Sequence, residues 1–367
     1  MALKTMVRKV NSSMRFKEFL KEYKDISQAQ KKIIQQIADL DPTDELGAKL
    51  LDNIFRVLNS EKTGGNITKA FGPPMADEKM DDATKQKHIT NVAKIISGVD
   101  SDFASMNRFL KRLKNGKAIS ISALSKPVST FNQICNGDAV AINVLNALMT
   151  YGVGSKRKGP GEFALAMMSP SIRLADGQGD IEIEGLGKVE LKSETAKGGG
   201  RLGMGGPTRD SQMQVIEKYK ESAPQLAQRL STIKSISMNP YMKLLNETLP
   251  IGNAQNKKLR IDITRDILAL TFGDFASKMA EGYGQADPKI ALANFVKINF
   301  EWYKAKDNFD AFMIMNFPLQ KTMVARSGDD LIGLNSAGHL KFGAPSFIHT
   351  GQSSEVYTQM ATSNAKV

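Results

Sequence analysis

Residues 179–193 read GDIEIEGLGKVELKS, and this stretch decides the fold class. Side chains of a strand alternate in direction. Ile181 and Ile183 therefore point to one face, and Asp180, Glu182 and Glu184 to the other. Gly185-Leu186-Gly187 is short enough to turn a hairpin. On the returning strand Val189 and Leu191 face the core, while Glu190 and Lys192 share the opposite face. Folding the hairpin is expected to bring Asp180 near Glu190, with Lys192 beside them. Two carboxylates brought together repel unless something compensates. A hard divalent cation is a natural compensator, because Mg²⁺ prefers oxygen ligands. A lysine beside it can position an attacking water or stabilise charge developing on a phosphate. These parts suit metal-assisted hydrolysis of a phosphodiester. The competing reading is a solvated hairpin face of mixed charge.

Working outward, the segment before the hairpin is basic and glycine-rich. GVGSKRKGPG at 152–161 carries Lys156, Arg157 and Lys158. Pro160 suits the first turn of a short helix running to Met168 and holding Glu162. SIRL at 171–174 reads as another short strand. After the hairpin comes GGGRLGMGG at 198–206, which is not a Walker A loop because no Gly-Lys-Ser/Thr follows. A mobile DNA-facing loop with Arg201 and Arg209 is the expectation, against the alternative of a plain flexible connection. Helix returns over 210–235, then over 262–281 and 288–304. Strand-like segments lie at 309–317, 321–325, 331–334 and 339–342. The run AFMIMNF at 311–317 is apolar on both faces, which fits a central strand. Phe300, Trp302 and Tyr303 close a helix and read as core.

The first 120 residues read as helical. Ser27 and Asp44 are candidate caps, and apolar residues recur at i, i+3 and i+4 from Ile33 to Leu58. The Gly/Pro-bearing stretch 64–74 is expected to break that run. Helical spacing resumes from Ile89 to Ile96 and from Phe103 to Leu113, and Asn115-Gly116 is a stop signal. Lys111, Arg112, Lys114 and Lys117 cluster there, either as a solvated helix end or as a phosphate-contacting patch. The organisation this suggests is a helical basic domain over 1–120 and an α/β domain over 121–367.

The 367 residues hold 50 Lys+Arg against 38 Asp+Glu, a formal charge of +12. Residues 1–150 alone carry 23 cations against 16 acids. That balance favours a polyanionic partner, nucleic acid first. A hydrophobic fraction of 41% excludes disorder as the main state. The single cysteine, Cys135, excludes an intrachain disulfide framework and a cysteine zinc cluster. His88, His339 and His349 are too scattered for a histidine metal site. No secretory signal is visible at the start, and no run of about 18 apolar residues exists to span a membrane.

On these residues the sequence resembles the PD-(D/E)XK nuclease superfamily, the fold shared by many restriction enzymes and phage nucleases. Asp180 and the tripeptide Glu190-Leu191-Lys192 carry the resemblance, with Glu162 on the preceding helix. Gln212, Gln214, Lys218 and Tyr219 downstream are similar to the helical polar positions of several nuclease families. Gly179 stands where the family pattern has proline, and the match spans roughly 160–220. The resemblance implies a restriction-endonuclease-like mixed sheet flanked by helices. It implies Mg²⁺, for which Mn²⁺ can substitute, held by Asp180 and Glu190. The Leu191 carbonyl would be an extra ligand and Glu162 an accessory one, with Lys192 catalytic. The expected activity is endonucleolytic hydrolysis of DNA. Lys156, Arg157, Lys158, Arg201, Arg209, Gln212, Lys111, Arg112 and Lys114 are the candidate nucleic-acid contacts. The alternative is a non-catalytic DNA-binding virion or packaging protein. The family's habitat implies a bacterial virus as source and the host cytoplasm or the virion as location. A homo-oligomer is compatible with the sequence.

Overall fold

The computed structural model describes residues 45–71, 80–152, 158–175, 179–194, 200–203, 205–348 and 356–363. The expected Ser27 helix, the Asp44 cap, Lys156, Arg157 and His349 lie outside these residues. The protein is mixed α/β, with fifteen α-helices among the described residues. No helix among them is long and apolar enough to cross a membrane. Contacts divide the chain into two units: Met1–Leu124 with Phe131–Gly185, and Ser125–Thr130 with Leu186–Val367. The expected boundary at 120/121 falls near the first break, but residues 131–185 belong with the helical unit.

The first unit is built by helices that each bury one stripe. Helices α1 (Glu45–Leu58) and α2 (Glu61–Phe71) are followed by α3 (Asp82–Ser97) and α4 (Phe103–Lys114). Asp81 caps α3 by accepting from Thr84 N at 2.7 Å, and Asp102 caps α4 from Ser105 N at 2.9 Å. Caps of this kind contribute about 1 kcal/mol each. Ile89, Val92 and Ile96 of α3 and Met106, Phe109, Leu110 and Leu113 of α4 are buried. Asn115 ends α4, and Gly116 at φ +69° takes the left-handed turn that the Asn-Gly pair predicts. Short helices α5 (Ile121–Leu124) and α6 (Phe131–Ile134) lead to α7 (Ala139–Gly152), which packs on α8 (Pro160–Met168).

The structure overturns the expected break at 64–74 over its first part. Helix α2 runs through Gly64-Gly65, because tertiary partners outweigh their poor propensity. Ile67 and Ala70 are fully buried. Asn66 Nδ2 donates to the carbonyls of Ala166 (3.1 Å) and Ile172 (3.2 Å), and its Oδ1 accepts from Leu174 N at 3.2 Å. One asparagine thus ties α2 to α8 and to strand β2 (Ile172–Leu174). In the same unit β2 pairs antiparallel with β3 (Ile181–Ile183), register Ile172↔Ile183. Ile181 and Ile183 are buried while Glu182 and Glu184 are exposed, as alternation predicts.

In the second unit four strands lie side by side in one sheet, in the order β1 (Val128–Thr130), β7 (Lys321–Ala325), β6 (Ala311–Asn316), β4 (Gly187–Glu194). β4 and β6 are parallel, from Val189↔Ala311 to Glu194↔Asn316, and the other two pairings are antiparallel. A parallel pair needs a crossover. Here the crossover is a helical layer: α9 (Arg209–Glu217), α10 (Pro224–Thr232), α11 (Met238–Thr248), α12 (Ala254–Phe272), α13 (Phe275–Glu281) and α14 (Pro288–Asp307). The strand β5 (Ile236–Ser237) sits between α10 and α11 and pairs with β9 (Ser346–Ile348). Every residue of β6 is buried, the pattern of a strand covered on both faces. Phe300 and Tyr303 of α14 pack with Phe309 and with Phe312 and Ile314 of β6 in one core cluster.

The strand expected at 331–334 is a helix, α15 (Gly328–Ser336). Ser327 and Asp330 form a reciprocal capping box that starts it, and this cap prevails over a short apolar run. Beyond it β8 (Leu340–Gly343) pairs antiparallel with β10 (Gln359–Thr362).

Candidate active site

Strand β4 presents Glu190, Lys192 and Glu194 on one face, because side chains two apart point the same way. Glu190 is buried, with 7% of its surface exposed, so the solvated-face reading fails at this position. Its Oε1 accepts from Lys192 Nζ at 2.5 Å and from Tyr303 Oη at 2.5 Å. Lys192 Nζ also lies 5.9 Å from the centroid of the Tyr303 ring. Tyr303 comes from the last turns of α14, 113 residues away in sequence. Gly200 packs so closely on Lys192 that a Cβ there would stand 3.0 Å from Lys192 Cβ and Cγ. The lysine stem is therefore held from behind.

Asp307, one helical turn beyond Tyr303, joins this group. Burial pushes its carboxyl above the ordinary value, and the Glu190 charge pushes it further. The Tyr303 hydroxyl and the charges of Lys306 and Lys192 act in the opposite sense. Sequence reading had no signal for Asp307, and it placed Tyr303 in the core. Tyr303 is indeed buried, and its hydroxyl adds a polar role to that.

Two turns of the pleat further on, Glu194 ends β4 beside Asn316, which ends β6. Glu194 Oε2 accepts from Asn316 Nδ2 and Thr362 Oγ1, both at 2.5 Å, while its Oε1 is buried without a hydrogen-bond partner among the described residues. Lys321, cross-strand from Asn316, is buried and donates to the Ser363 carbonyl. Burial lowers its pKa, and the Glu194 charge opposes that. His339 has its pKa lowered by burial and by the Lys321 charge.

The remaining sequence-derived site residues fall in different places. Glu162 and Asp180 belong to the first unit; Glu190, Leu191 and Lys192 belong to the second. Glu162 is buried in the first turn of α8. Asp180 is half-buried just before β3, and its carbonyl accepts from Ala175 N at 3.0 Å. Leu191 is buried. Lys158 and Arg201 are half-buried.

Three expected nucleic-acid contacts are committed elsewhere. Gln212 is fully buried in α9, so it presents no surface to a polyanion. Arg209 donates to the Ile233 (2.8 Å) and Ser231 (3.1 Å) carbonyls at the end of α10. Arg112 Nη1 bonds Asp138 at 2.8 Å and its Nε donates to the Lys117 carbonyl, so it ties α4 to the start of α7. Lys111, Lys114 and Lys117 are exposed, and Arg108 on the same helix joins them. Cys135 is fully buried and burial pushes its thiol up to about 12, which removes it as a nucleophile.

The donor chemistry around Glu190 fits a hard cation. Both hydrogen bonds to Glu190 arrive at Oε1, and a second carboxylate, Asp307, feels its charge. Mg²⁺ needs only one or two carboxylates, with water completing its shell. No group of three acidic, histidine or cysteine side chains converges among the described residues. No family model matches the chain, and neither does any curated protein or solved structure.

Proposed function

We propose that this chain is a divalent-cation-dependent endonuclease acting on DNA, centred on β4. One observation carries the reading: half-buried Lys192 and buried Glu190 meet at 2.5 Å on one strand face, with the Tyr303 hydroxyl on the same oxygen. A lysine beside a carboxylate that could ligate a cation is the arrangement phosphodiester hydrolysis uses. The resemblance to the PD-(D/E)XK superfamily and the +12 charge support the same reading.

Glu190 and the Leu191 carbonyl would hold Mg²⁺ or Mn²⁺, with Asp307 beside them. A bound Mg²⁺ supplies an acidified water and neutralises charge on the scissile phosphate. Tyr303 fixes the Glu190 carboxylate by donating to Oε1, so the second oxygen keeps one direction. Lys192 gives its ammonium to the developing phosphorane charge, which costs it the Glu190 bond. The exposed cations Arg108, Lys111, Lys114 and Lys117 attract the polyanion and confer salt dependence. Lys158 and Arg201 take the phosphate-contacting roles expected for them, and the restriction-endonuclease-like sheet belongs to this same reading.

Incubation of the purified chain with supercoiled plasmid, in Mg²⁺ and in EDTA, is the test. Relaxed or linear product in Mg²⁺ alone is expected. Intact plasmid in both, with retarded migration from binding, would favour the non-catalytic virion or packaging reading.

A further inference from the structure

Trp302 is the only tryptophan of the chain. It is half-buried on α14, next to Tyr303, whose hydroxyl holds Glu190. Its ring lies nearly parallel to Tyr357, at 5.5 Å and 19°, and Phe272 meets it edge-on at 5.0 Å. Gly203, at φ +126°, runs its backbone along this pair; a Cβ there would stand 2.6 Å from Tyr357 Cδ1 and 2.9 Å from Trp302 Cζ3. The indole is therefore clamped in place. Over it sits Lys306 Nζ, 4.9 Å from the ring centroid, on an exposed side chain one helical turn away. Phe300 and Tyr303 are core, whereas Trp302 keeps accessible surface.

A rigid aromatic ring covered by a flexible cation is the unit from which single-strand nucleic-acid sites are built. Bases stack on the ring in any sequence, and the cation takes the phosphate. The Lys306 ammonium holds the indole by a cation–π contact, which is weak at an exposed site, so a base can displace it. Arg201, whose backbone bridges to Gln359 two residues from Tyr357, adds a second cation on the same side chain cluster.

We infer that Trp302 is a stacking platform for one unpaired nucleobase of single-stranded or frayed DNA, with Lys306 swinging onto the adjoining phosphate. The inference rests on the nuclease reading for its choice of polymer, and it specifies the substrate: DNA with an unstacked base beside the Glu190 site.

The test uses the full chain in EDTA, so that no cleavage occurs. An end-labelled 12-mer of deoxythymidine and a duplex of equal length are titrated in, reading label anisotropy and Trp302 fluorescence together. Saturable quenching with the single strand, weaker with the duplex, is expected. Trp302→Leu should weaken single-strand binding on the order of tenfold or more, the size of one lost base stack. Trp302→Phe should restore most of that affinity, which a merely structural role for the indole in folding would not separate by strand type. Binding by anisotropy without quenching, or unchanged affinity in Trp302→Leu, overturns the platform and leaves the nuclease reading standing. No anisotropy change with either DNA also overturns the platform, and the plasmid assay in Mg²⁺ decides the nuclease reading separately.

Discussion

Strand β4 carries a buried carboxylate near each end of one face, and the two differ in what surrounds them. Glu190 and Glu194 are buried alike, at 7% and 5% exposed. Glu190 receives a cation and a phenol. Among the described residues Glu194 receives only an amide and a hydroxyl, and its second oxygen has no partner there. Lys321 lies near enough for its charge to be felt, yet it donates to a backbone carbonyl instead. Burial therefore does not distinguish the two. The donors do: under the proposed reading the Lys192 ammonium leaves Glu190 for a phosphate, whereas Asn316 and Thr362 pin the strand ends.

The largest contrast should come from exchanging each acid for its amide. Glu190→Gln should reduce plasmid cleavage to background while the protein stays folded by circular dichroism. Glu190→Gln that cuts at the wild-type rate would break the comparison at once. Tyr303→Phe should come next. It removes a hydrogen bond to a buried charge, which costs about 1.5–3 kcal/mol of stability. Cleavage should fall as well, but by less than for Glu190→Gln; a stability loss with an unaltered rate would make the phenol purely structural.

The Glu194 end makes a different prediction, about pH. Burial lowers the folded pKa of Lys321 below its ordinary 10.5. Between the folded and unfolded values the unfolded chain binds more protons, so stability rises with pH there. The cost of the buried ammonium is fully present below the folded pKa and is relieved toward pH 10.5. Thermal melts between pH 7 and 10 should show that rise in the wild type and lose it in Lys321→Met. An equal slope in the variant would place the titration elsewhere. The smallest effect belongs to Glu194→Gln, whose stability should stay within about 1 kcal/mol of wild type, since the groups bonded to it, Asn316 Nδ2 and Thr362 Oγ1, are neutral donors. A collapse of cleavage in that variant would merge the two ends into one site. In the first unit, neutralising Lys111, Lys114 and Lys117 together should flatten the salt dependence of DNA binding, by about 0.9 per lost phosphate contact. A titration that keeps its slope would make them a solvated helix end.

Much of β4 and its neighbours was legible locally. Alternation placed Ile181 and Ile183 inside and put Glu190 with Lys192, and the all-apolar 311–316 run marked a strand buried on both faces. What escaped depends on partners distant in sequence. Tyr303 and Glu190 are 113 residues apart, so no spacing rule joins them. Asp307 matters only through the helix that carries it over β4. Arg112 looked like a phosphate ligand until Asp138, 26 residues on, took its guanidinium. Arg209 met the same fate at the end of α10. Gln212 shares its helix with exposed polar residues, and only the packing of α9 shows that it faces inward. Helix α2 failed the local rule because Asn66 bonds backbone groups about 100 residues downstream.

Lys192→Met tests the central claim most directly, because it separates a lysine that balances charge from one that acts on phosphate. The measurement is paired: plasmid cleavage rate in Mg²⁺ and thermal stability in EDTA, on wild type and variant. A catalytic Lys192 predicts a rate lower by about 10²-fold or more, the size of one lost electrostatic stabiliser. Glu190 keeps its Tyr303 bond in that variant, so the fold should survive. A variant that loses stability yet cuts at the wild-type rate would contradict the account and leave Lys192 a structural partner of Glu190.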